Sequence, residues 1–590
     1  MSIFRTLSSF RWSSSIFAVA GVFSPDHTQE KDNMAVLKRS LETIFLIAAS
    51  QSAFAQHLVG AGGQIQQIPH AVVQQKSIPV LPIPKTLVAP TPVPAGTKFV
   101  IKLLHITGQA RFSEAELIKA SRFQPGRELT LSDLRVMTSL VTDYYNQHGY
   151  FLARAYLPPQ DITDGTIRIA VLEGNYGQIA LRNHSHASDV TVVQMLNGLN
   201  RGDTVQSAPL ERRLLIISDL PGTVVSATLS PGAAVGTSDL TVGVAPGARV
   251  DGDLEADNWG NPYTGAYRVG GTVNVNEILG WGDVLSLRTL ESTNGGMDYG
   301  RVSYQGQLQD ATVGIAVTGF KYHLGKQYTS LDANGSEAIG SLYASYPLIR
   351  SYNNNLYVLL DVDQKFFRDN IGATSTTVRK EATVLLAGLN GDSHDSLGGG
   401  GWNDYSLMGS FGNLDITSPW ARSVDALTAR TNGGYAKLSG SASRLQTLVG
   451  PLSLYIAARG QIGSKNLDIS EKMELGGATG VRAYPEGEAY GDEGYIATIE
   501  PRLMLPTAKI LPGQLQLIAF VDTGHVTINQ TRFNNTQNSL TRTGAGVGLT
   551  WTVSNNFMAT VTYANILGST KATSYPDDSG ELWLRVIKFF

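Results

Sequence analysis

From about Arg249 to Phe590 the side chains alternate with period two, and nothing there approaches the run of about 18 apolar residues that a membrane-spanning helix needs. Tyr267, Val269, Val273 and Val275 alternate with Arg268, Thr272, Asn274 and Asn276. Ala545, Val547, Leu549, Trp551 and Val553 alternate with Gly544, Gly546, Gly548, Thr550 and Thr552, and Phe557, Ala559, Val561 and Tyr563 with Met558, Thr560, Thr562 and Ala564. One apolar and one polar or tiny face suits a strand held between lipid and a wet lumen. Backbone groups in a bilayer must all be paired, so such a sheet has to close on itself. Turn signals at Gly280-Trp281-Gly282-Asp283, Asn334-Gly335, Asn390-Gly391 and Asn432-Gly433 divide the region. At roughly 20 residues per strand with its connection, it holds about 16 strands of a transmembrane antiparallel β-barrel. A secreted β-sandwich or β-helix is the competing reading.

Composition narrows the partners. Charged residues make up 16% of the chain, below the usual figure of about 25%, while 62 glycines suit a β-rich protein with tight turns. The net charge is -3 and Lys and Arg form no long cluster, which argues against nucleic acid. Cysteine is absent, so disulfides, thiolate metal sites and cysteine nucleophiles are excluded, and the chain is suited to crossing an oxidising periplasm unfolded.

The N-terminus carries an address. Met34 opens a segment with Lys38 and Arg39, then the apolar run Ile44 to Ala49, then Ala53-Phe54-Ala55. That order reads as a signal peptide over 34–55, with Gln56 as the mature start and residues 1–33 as an extension. A buried amphipathic helix is the alternative, and Glu42 sits awkwardly near the apolar run. Residues 56–97 follow as a linker. Pro79, Pro82, Pro84, Pro90 and Pro92 predict an extended, polyproline-like tether. Ahead of them, Ala61 to Ile68 reads either as a short plug helix or as unstructured chain.

Residues 98–174 and 175–246 read as two small α/β units of one order, β-α-α-β-β. In the first, Phe99 to Ile106 is a strand, Ser113-Glu114-Ala115-Glu116 opens a helix, and Thr130 N-caps another with Asp133 at its third position. Leu131, Leu134, Val141 and Tyr144 share that helix's apolar face, Gly149 ends it, and strands follow at Tyr150 to Leu157 and Thr166 to Val171. The second pass places strands at Gln178 to Leu181, Thr223 to Leu229 and Ser238 to Val244. Its helices run from Ser188 through Leu196 and from Pro209 to Leu220. One larger α/β enzyme domain is the alternative, but no catalytic constellation appears in it.

The sharpest local signal is Leu475-Gly476-Gly477-Ala478-Thr479-Gly480-Val481-Arg482-Ala483-Tyr484-Pro485, continuing to Gly491-Asp492-Glu493-Gly494-Tyr495. Here the chain resembles the TpsB transporters of two-partner secretion, the hemolysin and hemagglutinin exporters. Supporting stretches are Leu220-Pro221-Gly222, Pro231-Gly232, Gly236 to Leu240, Gly280 to Leu285 and Phe520-Val521-Asp522-Thr523-Gly524. Phe590, after Leu582, Leu584 and Val586, resembles the last strand of barrels folded by the outer-membrane assembly machinery, with Lys588 departing from the pattern. The resemblance covers residues from about 98 to the end. It implies two periplasmic POTRA domains, a 16-stranded outer-membrane barrel and export of a large exoprotein bound through the POTRA domains. Outer-membrane lipid and, during biogenesis, the barrel-assembly machinery are further implied partners.

The resemblance also implies a site. The family pattern is Val-Arg-Gly-Tyr, and Ala483 stands here in the place of its glycine. In the family the arginine sits at the tip of a long loop folded back into the barrel and pairs with a wall carboxylate. In the strand Gln514 to Asp522, Leu515, Leu517, Ala519 and Val521 form the apolar face, so Asp522 points to the lumen. Carried over, Gly476, Gly477, Gly480, Val481, Arg482, Tyr484 and Pro485 form the transport loop, Arg482 meets Asp522 beside Gly524, and Tyr484 packs against the pair. Asp492 is the competing partner.

Other patterns carry no chemistry. Asp392-Ser393-His394-Asp395 are chain neighbours and cannot converge on one site, with Gly398 to Gly401 marking a loop. No helix follows Gly544 to Gly548, as a nucleotide loop requires, and His184 and His186 lack a third ligand. Neither cofactor, metal nor catalytic residue is expected. A barrel-assembly insertase of the same superfamily and a diffusion porin are the alternative functions.

Overall fold

A computed structural model describes residues 60–69, 71, 98–162, 164–506, 512–574 and 580–590. The expected signal peptide over 34–55, the expected extension before it and the prolines from Pro79 to Pro94 of the expected tether lie outside these residues. Among the described residues, sixteen antiparallel strands close into a barrel, and the first, Val250–Asp257, pairs with the last, Gly580–Phe589. No described helix is long and apolar enough to cross a membrane.

Alternation decides where each side chain points. In the strand Arg268–Asn276, Arg268 is 2% exposed on the inner face, while Val269 is 50% exposed on the outer one. The last strand repeats the pattern, with Leu582, Leu584 and Val586 exposed outside and Trp583, Arg585 and Ile587 buried inside. An apolar exterior and a charged interior fit lipid outside and water within. Lys588 is satisfied by Asn556, whose Oδ1 it reaches at 2.6 Å.

Two of the four turn signals are not turns. Asn334-Gly335 lies in the strand Ala333–Arg350, and Asn390-Gly391 in the strand Thr376–Asp395. Gly391 faces Tyr405 on the next strand, whose ring stands 2.9 Å from where a β-carbon would be. The glycine makes room for a cross-strand aromatic ring instead of turning the chain.

Before the barrel come two α/β units. In the first, Leu103–Thr107 runs parallel to Thr166–Leu172, which pairs antiparallel with Arg154–Tyr156. Helices Glu114–Ala120 and Leu131–Gln147 both start with reciprocal capping boxes, Ser113 with Glu116 and Thr130 with Asp133. The buried stripe of the longer helix is Leu134, Met137, Val141 and Tyr145. Leu131, expected on it, is exposed at the helix start, and Tyr144 is half-buried, edge-on to Phe112. Two expected strands also change. Phe99 to Ile106 breaks into Phe99–Ile101, paired with Arg127–Leu129, and Leu103–Thr107. Tyr150 to Leu157 shrinks to Arg154–Tyr156, because a turn follows Gly149.

In the second unit Asn175–Asn183 runs parallel to Thr237–Pro246, which pairs with Thr223–Pro231, and helices Asp189–Met195 and Ser207–Ser218 cover the sheet. Charged contacts tie this unit to the barrel turns at the end where the chain enters. Arg212 and Arg213 converge on Asp310, and Arg350 grips Asp219 through Nε at 2.8 Å and Nη2 at 2.7 Å. The Ser188 amide donates to the Gly280 carbonyl at 2.7 Å, and the Tyr352 amide to Glu211.

Residues 60–68 lie inside the barrel. Ala61–Ile65 is helical, and Ala61 to Gln64 are buried. The Ala61 amide donates to Asp369 on the inner wall at 3.0 Å, Gln66 donates to the Ile469 carbonyl at 2.7 Å, and Arg268 donates to the Gln67 carbonyl at 3.1 Å.

Candidate functional site

The connection between the strands Leu452–Gly463 and Glu493–Leu505 folds back into the barrel. Its backbone makes a tight knot: the Val481 amide donates to the Leu475 carbonyl and the Gly477 amide to the Tyr484 carbonyl, both at 2.9 Å. Gly477 holds a φ of +90° that a side chain would strain. Gly476 and Gly480 serve close approach, since a β-carbon on Gly480 would lie 2.1 Å from the Gly476 oxygen and one on Gly476 would lie 2.4 Å from that of Pro485. Leu475, Val481, Ala483 and Tyr484 pack with Ile496, Ile518 and Phe520 of the wall.

Arg482 reaches the wall from this knot. Its Nε and Nη2 donate to the two oxygens of Asp522 at 2.8 and 2.9 Å, and its own amide adds a third bond at 3.2 Å. The remaining nitrogen, Nη1, donates to Glu500 at 2.8 Å, and the guanidinium lies 3.3 Å over the Phe520 ring. Thr498 donates to Asp522 at 2.9 Å, and the Trp583 indole donates to the Arg482 carbonyl at 2.7 Å. Asp522 is wholly buried. Fork geometry lets one arginine satisfy two carboxylates at once, and a charge buried this way is secure only while its partners stay. Gly524 completes the seat, because a β-carbon there would lie 2.6 Å from Leu475.

Several partners differ from the sequence reading or go beyond it. Asp492 pairs with Lys472 at 2.7 Å instead of with Arg482. Tyr484 sits near the cluster but bonds elsewhere, its hydroxyl donating to the Thr570 carbonyl at 2.9 Å while Arg542 lies over its ring. Arg542 in turn donates to Glu488 at 2.7 Å. Glu500 lies beyond the sequence reading, although it stands on the polar face between Ile499 and Pro501, two residues from Thr498. Ala483, in place of the pattern's glycine, needs no positive φ, and its methyl group fills the space over Gly544. A second cluster joins this loop to residues 60–68: Gln67 donates to the Tyr490 hydroxyl at 2.5 Å and to Glu474 at 3.4 Å. Among the described residues, no three His, Cys, Asp or Glu side chains gather as metal ligands.

Comparison with known proteins fits this architecture. Residues 99–174 match the ShlB-type POTRA domain, and residues 236–551, more than half of the chain, match the haemolysin secretion/activation proteins ShlB/FhaC/HecB. The heme/hemopexin transporter protein HuxB of Haemophilus influenzae (strain 86-028NP) is 29% identical over 473 residues, 79% of this chain and 82% of HuxB. The outer membrane transporter CdiB of Escherichia coli O6:K15:H31 (strain 536 / UPEC) is 23% identical over 481 residues, 78% of each chain. In fold, CdiB from Escherichia coli superposes with a TM-score of 0.66 at 20% identity, covering 88% of this chain and 94% of its own. BamA from Haemophilus ducreyi lacking POTRA domains 1–3 gives a TM-score of 0.50 at 14% identity over 83% of this chain and 100% of its own. The chain therefore belongs to the haemolysin secretion/activation family, outer-membrane transporters that export an exoprotein in two-partner secretion and hold their POTRA domains in the periplasm.

Proposed function

We propose that the barrel lumen is the conduit for one large unfolded exoprotein, closed at rest by the inward loop and by residues 60–68. The observation that carries this reading is how both segments are held. Neither adds a strand to the barrel; side chains of Arg482, Gln66 and Arg268 and the Ala61 amide fasten them to the inner wall and to each other. Such fastenings part without unzipping the barrel. Gly476, Gly477, Gly480, Val481, Arg482, Tyr484 and Pro485 act as the movable loop, and Asp522 and Gly524 as its seat. The exoprotein docks on the POTRA pair, partly by adding a strand to an edge such as Arg154–Tyr156 or Thr223–Pro231, each of which pairs on one side.

No catalytic step is part of this cycle; folding of the cargo outside gives direction. Lipid covers the outer face, and the barrel-assembly machinery reads the last strand during biogenesis. HuxB is named for heme/hemopexin transport, and an exoprotein of that kind is the cargo class to test first. A diffusion porin leaves the filled lumen and the arm unexplained, and the insertase alternative rests on likeness of fold.

Deleting residues 98–246 is expected to bring secretion of the co-expressed exoprotein to background, with the barrel still heat-modifiable and ion-conducting in the outer membrane. Normal secretion by that deletion would remove the POTRA pair from recognition.

A further inference from the structure

We propose that a strip of aromatic and aliphatic side chains on the inner wall at the periplasmic mouth is the entry site for the unfolded exoprotein, and that it grips apolar side chains of the extended chain. This rests on the export reading above.

The strip follows from strand register. His394 stands opposite Trp402, Trp402 opposite Leu445, Leu445 opposite Tyr455, and Tyr455 opposite Glu500. Five neighbouring strands thus contribute one residue each to a single row. Directly opposed side chains share a face of the sheet, and Glu500 binds Arg482 inside the barrel, so the row faces the lumen. The next row inward, Asp404, Ser443, Ala457 and Thr498, lines the cavity beneath Arg482. On the opposite face of the same strand, Tyr405, Leu407 and Phe411 point outward. The row lies at the periplasmic end, because the turn between the strands Thr376–Asp395 and Gly401–Ile416 falls between His394 and Trp402.

A water-filled lumen calls for polar walls, and the rows above this one supply them. Here Trp402 is 47% exposed, with its ring 4.2 Å from that of His394, and Leu445, Met504 and Gln516 join it around an open pocket. An aromatic belt at a membrane interface would face lipid. This one faces the path of the cargo. Trp and Tyr present large rigid surfaces at small entropic cost, which suits contact with many different apolar side chains in turn.

Two features point to the exported chain as occupant. The second POTRA unit is pinned to the adjoining arc of the mouth, at Gly280, Asp310 and Tyr352, so a chain released from it meets these strands next. The row also runs without a break into the loop's own fastening. Arg502 lies 4.2 Å over the Tyr455 ring, donates to Glu500 at 2.8 Å, and Glu500 accepts from Arg482 at 2.8 Å. A side chain that docks on Tyr455 displaces Arg502, disturbs Glu500 and loosens one of the two carboxylates on Arg482. Entry of the chain and release of the loop are thereby coupled.

The test places a photoreactive benzoylphenylalanine at Trp402, or at Phe411 as the outward control, in the full-length transporter. The co-expressed exoprotein carries a disulfide-closed loop that stalls it in transit. Crosslinking of the exoprotein at 402 and not at 411 is expected. A Trp402→Ser, Leu445→Ser transporter should export several-fold more slowly at equal amounts of heat-modifiable barrel, and Trp402→Tyr should keep most of the rate. Crosslinks from 402 to lipid, or to the transporter's own residues 69–97 with export unchanged, would overturn the proposal, as would no crosslink together with normal export. If the unsubstituted transporter exports no exoprotein, the export reading itself fails and this inference with it.

Discussion

Arg482→Ala should cut export by roughly tenfold or more while the barrel still reaches the outer membrane in heat-modifiable form. A tenfold loss corresponds to only about 1.4 kcal/mol, whereas removing one partner of a buried ion pair commonly costs about 3 to 5 kcal/mol. Asp522→Ala should impair export less, because Glu500 still accepts from Nη1 of Arg482. Asp522→Ala combined with Glu500→Ala should approach Arg482→Ala. Adding Arg482→Ala to that pair should then cost nothing more, since groups acting as one unit are not additive. Arg482→Lys should rescue poorly, since a single ammonium cannot span Asp522 and Glu500 at once. Secreted exoprotein per folded transporter is the measurement. If the single effects of 482 and 522 simply add, the loop is held by something else, and the contact of Arg542 with Glu488 is the next pair to cycle.

Deleting residues 60–68 should raise the single-channel conductance several-fold in planar bilayers. A barrel of 16 strands leaves an aqueous channel unless something fills it, and this segment occupies lumen between Asp369, Arg268 and Ile469. A point substitution gives an independent route to the same result. A β-carbon on Gly62 would lie 2.4 Å from that of Ser470, so Gly62→Leu should expel the segment without shortening the chain. Both proteins should remain heat-modifiable, because the barrel's own strand pairing does not include these residues. Unchanged conductance in both would mean that the inward loop seals the lumen alone.

The sequence shows the barrel clearly because a strand with lipid on one side and water on the other has no freedom in its pattern. Val269 beside Arg268 states both faces in two residues. The capping boxes at Ser113 and Thr130 are legible for a similar reason, being complete within four residues. Asn390-Gly391 misleads because the demand on Gly391 comes from Tyr405, a neighbour only across the sheet. Residues 61–68 could not be decided from sequence. Their bonds to Arg268, Asp369 and Ile469 span 201, 308 and 403 residues, and nothing local distinguishes such a segment from a tether. Arg482 and Asp522 were brought together by resemblance, while Glu500 needed the three-dimensional path of the loop.

Ala483 and Gly544 divide a single methyl group between two surfaces. The loop carries it and the wall leaves room for it, with the methyl 2.3 Å from where a second one would stand. The space is therefore a shared quantity, and neither residue can be interpreted alone. A glycine in the loop permits an alanine in the wall; an alanine in the loop obliges glycine there. Seen by itself, position 483 looks like an exception to its family's pattern. As one member of a complementary pair it keeps the fit intact, moving the bulk from one side of the contact to the other.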